Sequence, residues 1–194
     1  MKKDDFLMHI TETAYNVGYG AKKHFATYDM VNKVPGIINF VSISFGIYAL
    51  VIDDLSSKFL AATITVFGIV GIYISLYEEK KNDYEKVGVI LTKLFNELRK
   101  LYSDAKVADE NNLSEYEQQL KTIESEYYKN CISKQILFSD WYAHYKFFWQ
   151  HQIDWIAEQK QFDFFRDKIP LTLSLVVVAA FFMAVGWGLI RYFG

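Results

Sequence analysis

The chain has 194 residues, with 21 lysines and arginines against 23 aspartates and glutamates, giving a formal net charge of −2. That balance, with no long run of one sign, excludes nucleic-acid binding through a basic stripe, and the single cysteine, Cys131, excludes an intramolecular disulfide framework. Hydrophobic residues reach 52% but charged residues still reach 23%, and mean hydropathy is only +0.03, so composition alone does not assign the chain to a membrane.

Residues 4–33 read as an amphipathic helix, because Phe6, Ile10, Ala14, Val17, Ala21 and Phe25 recur every three or four positions. Such a helix either packs on the central part of the chain or lies in a membrane interface. Pro35 is expected in the first turn of the next element, where its missing N–H costs nothing. Three stretches then lack any charge: Val34–Ile52, Phe59–Tyr77 and Ile169–Ile190. As helices they extend about 28 to 33 Å, the thickness of a hydrocarbon core. All three are expected to span, and the first starts too far into the chain, without a cleavage site, to be a signal peptide.

The second span is expected to run on into Glu78–Lys106, with only Gly88 against continuation. There Tyr84, Val87, Leu91, Leu94, Leu98 and Leu101 alternate steps of three and four, a heptad seam that wants a partner. Residues Asp104 to Asn112 read as a turn, and Ser114 to Glu117 as a capping box. A second seam follows in Leu113, Tyr116, Leu120, Ile123 and Tyr127, so an antiparallel hairpin is the economical arrangement, formed within one chain or between chains. The return arm would overshoot the membrane if straight, which predicts a break between about Lys129 and Trp141. Residues 138–168 are dense in Trp, Tyr and Phe interleaved with charges. They are expected as helix at the inner interface or as an oligomer contact. Pro170 should open the third span. No strand alternation appears, so the predicted fold is an all-α membrane protein. It has an N-terminal amphipathic helix (1–33), a transmembrane hairpin (34–77), a helical hairpin with an aromatic juxtamembrane part (78–168) and a C-terminal span (169–194).

Lysine and arginine counts orient it: five precede the first span, one lies in the 53–58 connection, fourteen lie in 78–168 and one follows. The positive-inside rule places the N-terminus and residues 78–168 in the cytoplasm and the C-terminus outside. The spans contain no ionisable residue and so offer no proton relay. They carry small and polar faces instead: Asn39, Ser42, Gly46 and Ala49; Ala61, Thr65, Gly68 and Ser75, with Gly71 nearby; and Ala180, Ala184 and Gly188. These faces suit close helix packing or, in an oligomer, the lining of a water-filled path. Asp53 and Asp54 could form an acidic outer mouth or merely solvate a turn. Val87, Leu91, Leu94, Leu98 and Leu101 are the candidate oligomer seam. His9, His24, His144 and His151 lack metal-ligand spacing, Cys131 reads as a small buried helical thiol, and no phosphate loop or nucleophile motif occurs. No catalytic residue, cofactor or metal is expected.

Three strings carry a resemblance: ETAYNVGYGAKKHFATYDMVNKVPG, YISLYEEKKNDYEKVGVILTKLFNELRKLY and CISKQILFSDWYAHYKFFWQHQIDWI. Over roughly residues 10–170 the chain resembles the SLATT family, the SMODS and SLOG-associating two-transmembrane effector domains of bacteria; the third charge-free stretch departs from the two spans of that name. The resemblance implies a membrane effector in antiphage defence, working beside nucleotide-second-messenger synthases or nucleotide sensors, that oligomerises and permeabilises the inner membrane. A membrane-anchored scaffold that recruits or restrains a partner fits the same residues.

Overall fold

The computed structural model describes residues 2–52, 58–109, 113–151 and 153–193, and no strand occurs among them. Eight α-helices follow in order: α1 (Lys3–Ala49), α2 (Lys58–Ser75), α3 (Lys81–Val107), α4 (Leu113–Asn130), α5 (Ser139–Gln150), α6 (Asp154–Ala157), α7 (Phe164–Asp167) and α8 (Leu171–Phe193). A 3-10 turn, Glu78–Lys80, joins α2 to α3.

The periodic stripe on the first half of α1 organises the rest. Phe6, Ile10, Ala14 and Val17 are fully buried and Ala21 is 2% exposed; Phe25 is half-buried. The stripe packs on the chain's own central part, chiefly on α3, with α5 alongside. On α3 the seam residues Val87, Leu91, Leu94, Leu98 and Leu101 are all buried, and Leu113, Leu120 and Ile123 of α4 enter the same core. α4 packs on α3, but the seam's main partner is α1 of the same chain, and these residues are covered without a second copy. Each aliphatic side chain so buried contributes about 1.5–3 kcal/mol.

Glycines permit the close approach. A Cβ on Gly88 would lie 2.9 Å from the Phe25 ring, and one on Gly18 would lie 2.7 Å from Phe95 and 3.0 Å from Phe147. The glycine that spoke against a helix is the point where a ring of α1 sits on the α3 backbone.

Several local expectations need correction. Pro35 lies inside α1, not in the first turn of a new helix. The helix continues because its flanks are packed: Val31 is buried with Ile74, Tyr77, Tyr84 and Ile136, and Val34 and Ile38 pack against that cluster. Span two does not run straight into α3 either. The chain turns at Leu76–Tyr77, which directs Tyr77 into the same cluster while Tyr77 Oη donates to the Gln135 carbonyl at 3.3 Å. α4 begins at Leu113, one residue before Ser114, so that serine does not cap it; residues 110–112 lie outside the described ones. Cys131 is half-buried and sits just past α4, not within a helix.

The predicted break is present, since residues 131–138 separate α4 from α5. The aromatic segment beyond it takes a role not anticipated. Ala143, Phe147 and Ile156 are fully buried and Trp155 nearly so, which makes this segment core within the chain. Ala143 and Phe147, four apart on α5, share one side of that helix, and Phe147 meets Tyr15 of α1 edge-on at 5.5 Å between ring centres. The opposite side, with Tyr145 and Trp149, stays exposed. A half-buried ion cluster ties α1 to α5: Asp29 pairs with Lys33 at 2.6 Å and with Lys146. Burial opposes ionisation of Asp29, but hydrogen bonds from the two lysines outweigh it and hold its pKa below the usual carboxylate range.

Packing at Gly18 sets the first expectation. Gly18→Val should lower stability by about 1–3 kcal/mol through overpacking, read as a lower denaturant midpoint in detergent. Gly36→Ala, whose Cβ meets nothing within 4 Å, should not. A second concerns His151, whose Nε2 is sealed without a partner among the described residues. Burial, with Lys22 and Arg99 adding to it, pushes its pKa down from 6.5 to about 4. Because the folded value is the lower one, acid favours the unfolded chain, so its contribution is intact above pH 6.5 and is lost as pH falls towards about 4. His151→Phe should flatten that part of the pH–stability profile; an unchanged slope would refute the assignment.

Candidate functional site

Two helices, α1 and α2, are long and apolar enough to cross a membrane, and only 6% of each apolar window is buried within the chain. A core helix of that hydropathy would be mostly covered, and these present Phe40, Leu50 and Phe59 outward at 73%, 87% and 81% exposure. The second half of α1 packs on α2 and leaves the bundle behind. α8 is a 23-residue helix, yet its described apolar stretch, Leu171–Gly186, falls short of the other two. Two of the three expected spans thus stand as candidates by length and apolar composition among the described residues.

Most hydroxyls of the spans are satisfied by their own helix. Ser44 donates to the Phe40 carbonyl at 2.8 Å, Thr63 to Phe59 and Thr65 to Ala61 at 2.9 Å, and Ser75 to Ile72 at 2.7 Å. This back-bonding lets a polar residue sit in an apolar medium without a partner helix. Asn39 differs. Its carboxamide is exposed and meets no hydrogen-bond partner among the described residues.

Asn39 opens into a groove of about 340 Å³ between the two spans, lined by Pro35, Ile38, Asn39, Phe67, Gly68, Gly71, Ile72 and Ser75. The groove exists because Gly68 and Gly71 offer no side chain: a Cβ on either would meet nothing within 4 Å. It lies at the end of the spans nearest the bundle, since Pro35 follows directly on the packed half of α1 and Ser75 closes α2. Of the sequence candidates, the structure brings together Asn39, Gly68 and Ser75. Ser42, Gly46 and Thr65 do not line the groove. Ala180, Ala184 and Gly188 sit exposed on α8, which makes no extensive contact with another described element. Asp53 and Asp54 lie outside the described residues. Pro35 and Phe67 were not anticipated as lining, although a proline four residues before Asn39 could have signalled the site.

The bundle's polar groups are committed elsewhere. His144 Nδ1 contacts the Tyr19 hydroxyl at 2.7 Å and the Asp140 carbonyl at 2.8 Å. Burial, with Asp140 adding to it, raises the Tyr19 pKa well above the usual phenol range. Burial also pushes the Cys131 thiol up, which keeps it protonated and a poor nucleophile. His9 lies 3.1 Å from Glu124. No cluster of three or more His, Cys, Asp or Glu suited to a metal occurs among the described residues.

Two uncovered apolar helices continuous with a packed helical bundle are the layout of a membrane protein. The sequence profile of the SMODS and SLOG-associating 2TM effector domain 6 matches residues 1–177, and the chain belongs to that SLATT family. The match takes in both candidate spans and the whole bundle and ends within the second turn of α8. Neither a curated protein nor a solved structure matches the chain.

Proposed function

We propose that this effector domain permeabilises the bacterial inner membrane as a homo-oligomer, within a nucleotide-signalled antiphage defence system. The N-terminus and residues 78–168 stand in the cytoplasm, where a sensor or nucleotide-synthase partner engages the bundle. The protein acts without catalysis or cofactor, and nucleic acid is not its target. α8 crosses the bilayer as a third span and ends outside.

The observation that carries the reading is the unpaired carboxamide of Asn39 in a groove between two otherwise apolar spans. Leaving such a group unbonded in hydrocarbon costs about 2–7 kcal/mol. Water in a leak path, or the same face of another copy, removes that cost. Membership of an effector family supports the direction of the reading. The bundle's filled core supports a self-contained receiving module, so signal would enter through its surface or its junction with the spans.

Induced expression with the partner activated should collapse membrane potential, and reconstituted protein should release dye from liposomes. Asn39→Leu should reduce that leak at least about tenfold while leaving the fold intact, because the side chain packs against nothing it would lose. Loss of leak with retained partner capture identifies the groove as the path. No leak from the unaltered chain under the same conditions overturns the proposal and leaves a membrane-anchored scaffold.

Topology has its own expected outcome. In a Cys131→Ser background, an impermeant maleimide should label Leu50→Cys, just past α1, and Arg191→Cys, on α8, on intact spheroplasts, since both positions are exposed. It should label Val107→Cys, 85% exposed at the end of α3, only after lysis. Protection of position 191 until lysis would limit the chain to two crossings.

A further inference from the structure

Residues 131–138 form more than a connection between α4 and α5. Side chains from three other helices hold this segment, mostly by its backbone. Ile132 N–H donates to His24 Nε2 of α1 at 3.1 Å. Tyr84 of α3 donates its hydroxyl to the Lys134 carbonyl at 2.6 Å. At the end of α2, Tyr77 donates to the Gln135 carbonyl at 3.3 Å and Tyr73 Oη accepts from Leu137 N–H at 3.1 Å. Thr27 of α1, fully buried, donates to Gln135 Oε1 at 2.6 Å. The segment ends at Phe138 with φ 66°, a left-handed conformation sparsely populated by residues other than glycine. The place where the spans meet the bundle is thus strapped by one short segment, and the strap holds its last residue under strain.

His24 is the only one of these holding groups that titrates near neutral pH, and its geometry admits a single charge state. The ring is 3% exposed. Nε2 accepts from Ile132 N–H, so the ring proton must sit on Nδ1, which lies 2.7 Å from the Gly20 carbonyl and donates to it. Protonation would place a second N–H at Nε2, directed at a donor. We infer that His24 makes the 131–138 strap an acid-sensitive latch: a proton on Nε2 expels Ile132 N–H and frees the segment from α1, α2 and α3.

The surrounding groups do not favour the charged ring. On α1, Lys23 stands next in sequence and pairs with Asp140 of α5 at 2.7 Å, so that carboxylate is already engaged. From α3, the neutral Tyr84 ring lies 6.2 Å away. From α4 and the strap, Tyr127 and Cys131 line the same crevice, and both have raised pKa values and are neutral near pH 7. Lys134 of the strap has its ammonium over the Tyr77 ring at 5.0 Å. Burial lowers the His24 pKa from 6.5, with Lys23 adding to the effect against the Gly20 hydrogen bond. The latched state therefore binds the proton less tightly than the released one, and acid shifts the balance towards release by up to about tenfold per pH unit below the ordinary histidine value.

The test does not depend on leak activity. Amide hydrogen exchange of the full chain in detergent micelles would be followed at pH 7.5 and pH 5.0, corrected for the intrinsic chemical rate. The α3 amides around Leu98 serve as internal reference. Residues 131–138 should exchange more than about twofold faster at the lower pH relative to that reference. H24Q, which offers a non-titrating acceptor at the same reach, should abolish the pH dependence. Y84F should speed exchange at both pH values and leave the pH dependence in place. A strap whose corrected exchange changes less than about twofold, or one in which H24Q retains the full pH dependence, overturns the inference.

Discussion

The contact between the first half of α1 and the α3 seam determines how the rest of the chain is arranged, because α1 serves two environments with one uninterrupted helix. Its buried stripe, from Phe6 to Ala21, fixes the rotational phase of the helix on the bundle. With 3.6 residues per turn and no break, that phase carries through to Asn39. The face that span one offers to α2 is therefore set by side chains about five or more turns away, in another medium. A shift of α1 on α3 would turn the groove as well, so the two halves of the protein are mechanically one object.

Electrostatics reinforce the joint. Asp29, Lys33 and Lys146 meet where α1 leaves the bundle, and the mutual compensation of charge lets the lysine of α5 be largely covered. Breaking such a set by removing one partner is costlier than the set is worth, since it leaves a half-buried charge alone. Below it the Val31–Ile74–Tyr77–Tyr84–Ile136 cluster closes the boundary with apolar contact. The junction is thus held by two kinds of interaction with different dependence on salt and pH.

Much of the helical plan was legible in the sequence. Charge-free length gave the two spans, spacing gave the apolar stripe of α1 from Phe6 to Ala21, though not the buried Thr11, His24 and Thr27 beside and beyond it, and the length mismatch between the two arms gave the break after α4. Partner choice was not legible. A heptad seam states that Leu91 and Leu98 need cover, but Ala14 and Val17 of α1 meet that need as well as α4 does, and nothing in the spacing distinguishes them. The aromatic segment misled for a related reason: Trp and Tyr suit a membrane boundary and a packed core alike, and only the fold-back on α1 decides. In the site, the polar faces were visible as residues, but which of them open into a common groove depends on the crossing of α1 and α2. Gly88 was the unused clue, since a glycine inside an otherwise strong helix marks close approach of another chain segment.

Pro35 gives α1 one soft place. Having no amide hydrogen, it leaves the Val31 carbonyl without its usual acceptance from four residues on. The rod is therefore most compliant at the mouth of the groove, one residue after the last tightly packed turn. Force delivered by the bundle would flex the helix there before it stretched any other rung of the ladder, converting a small tilt into a change in the width of the space beside Asn39.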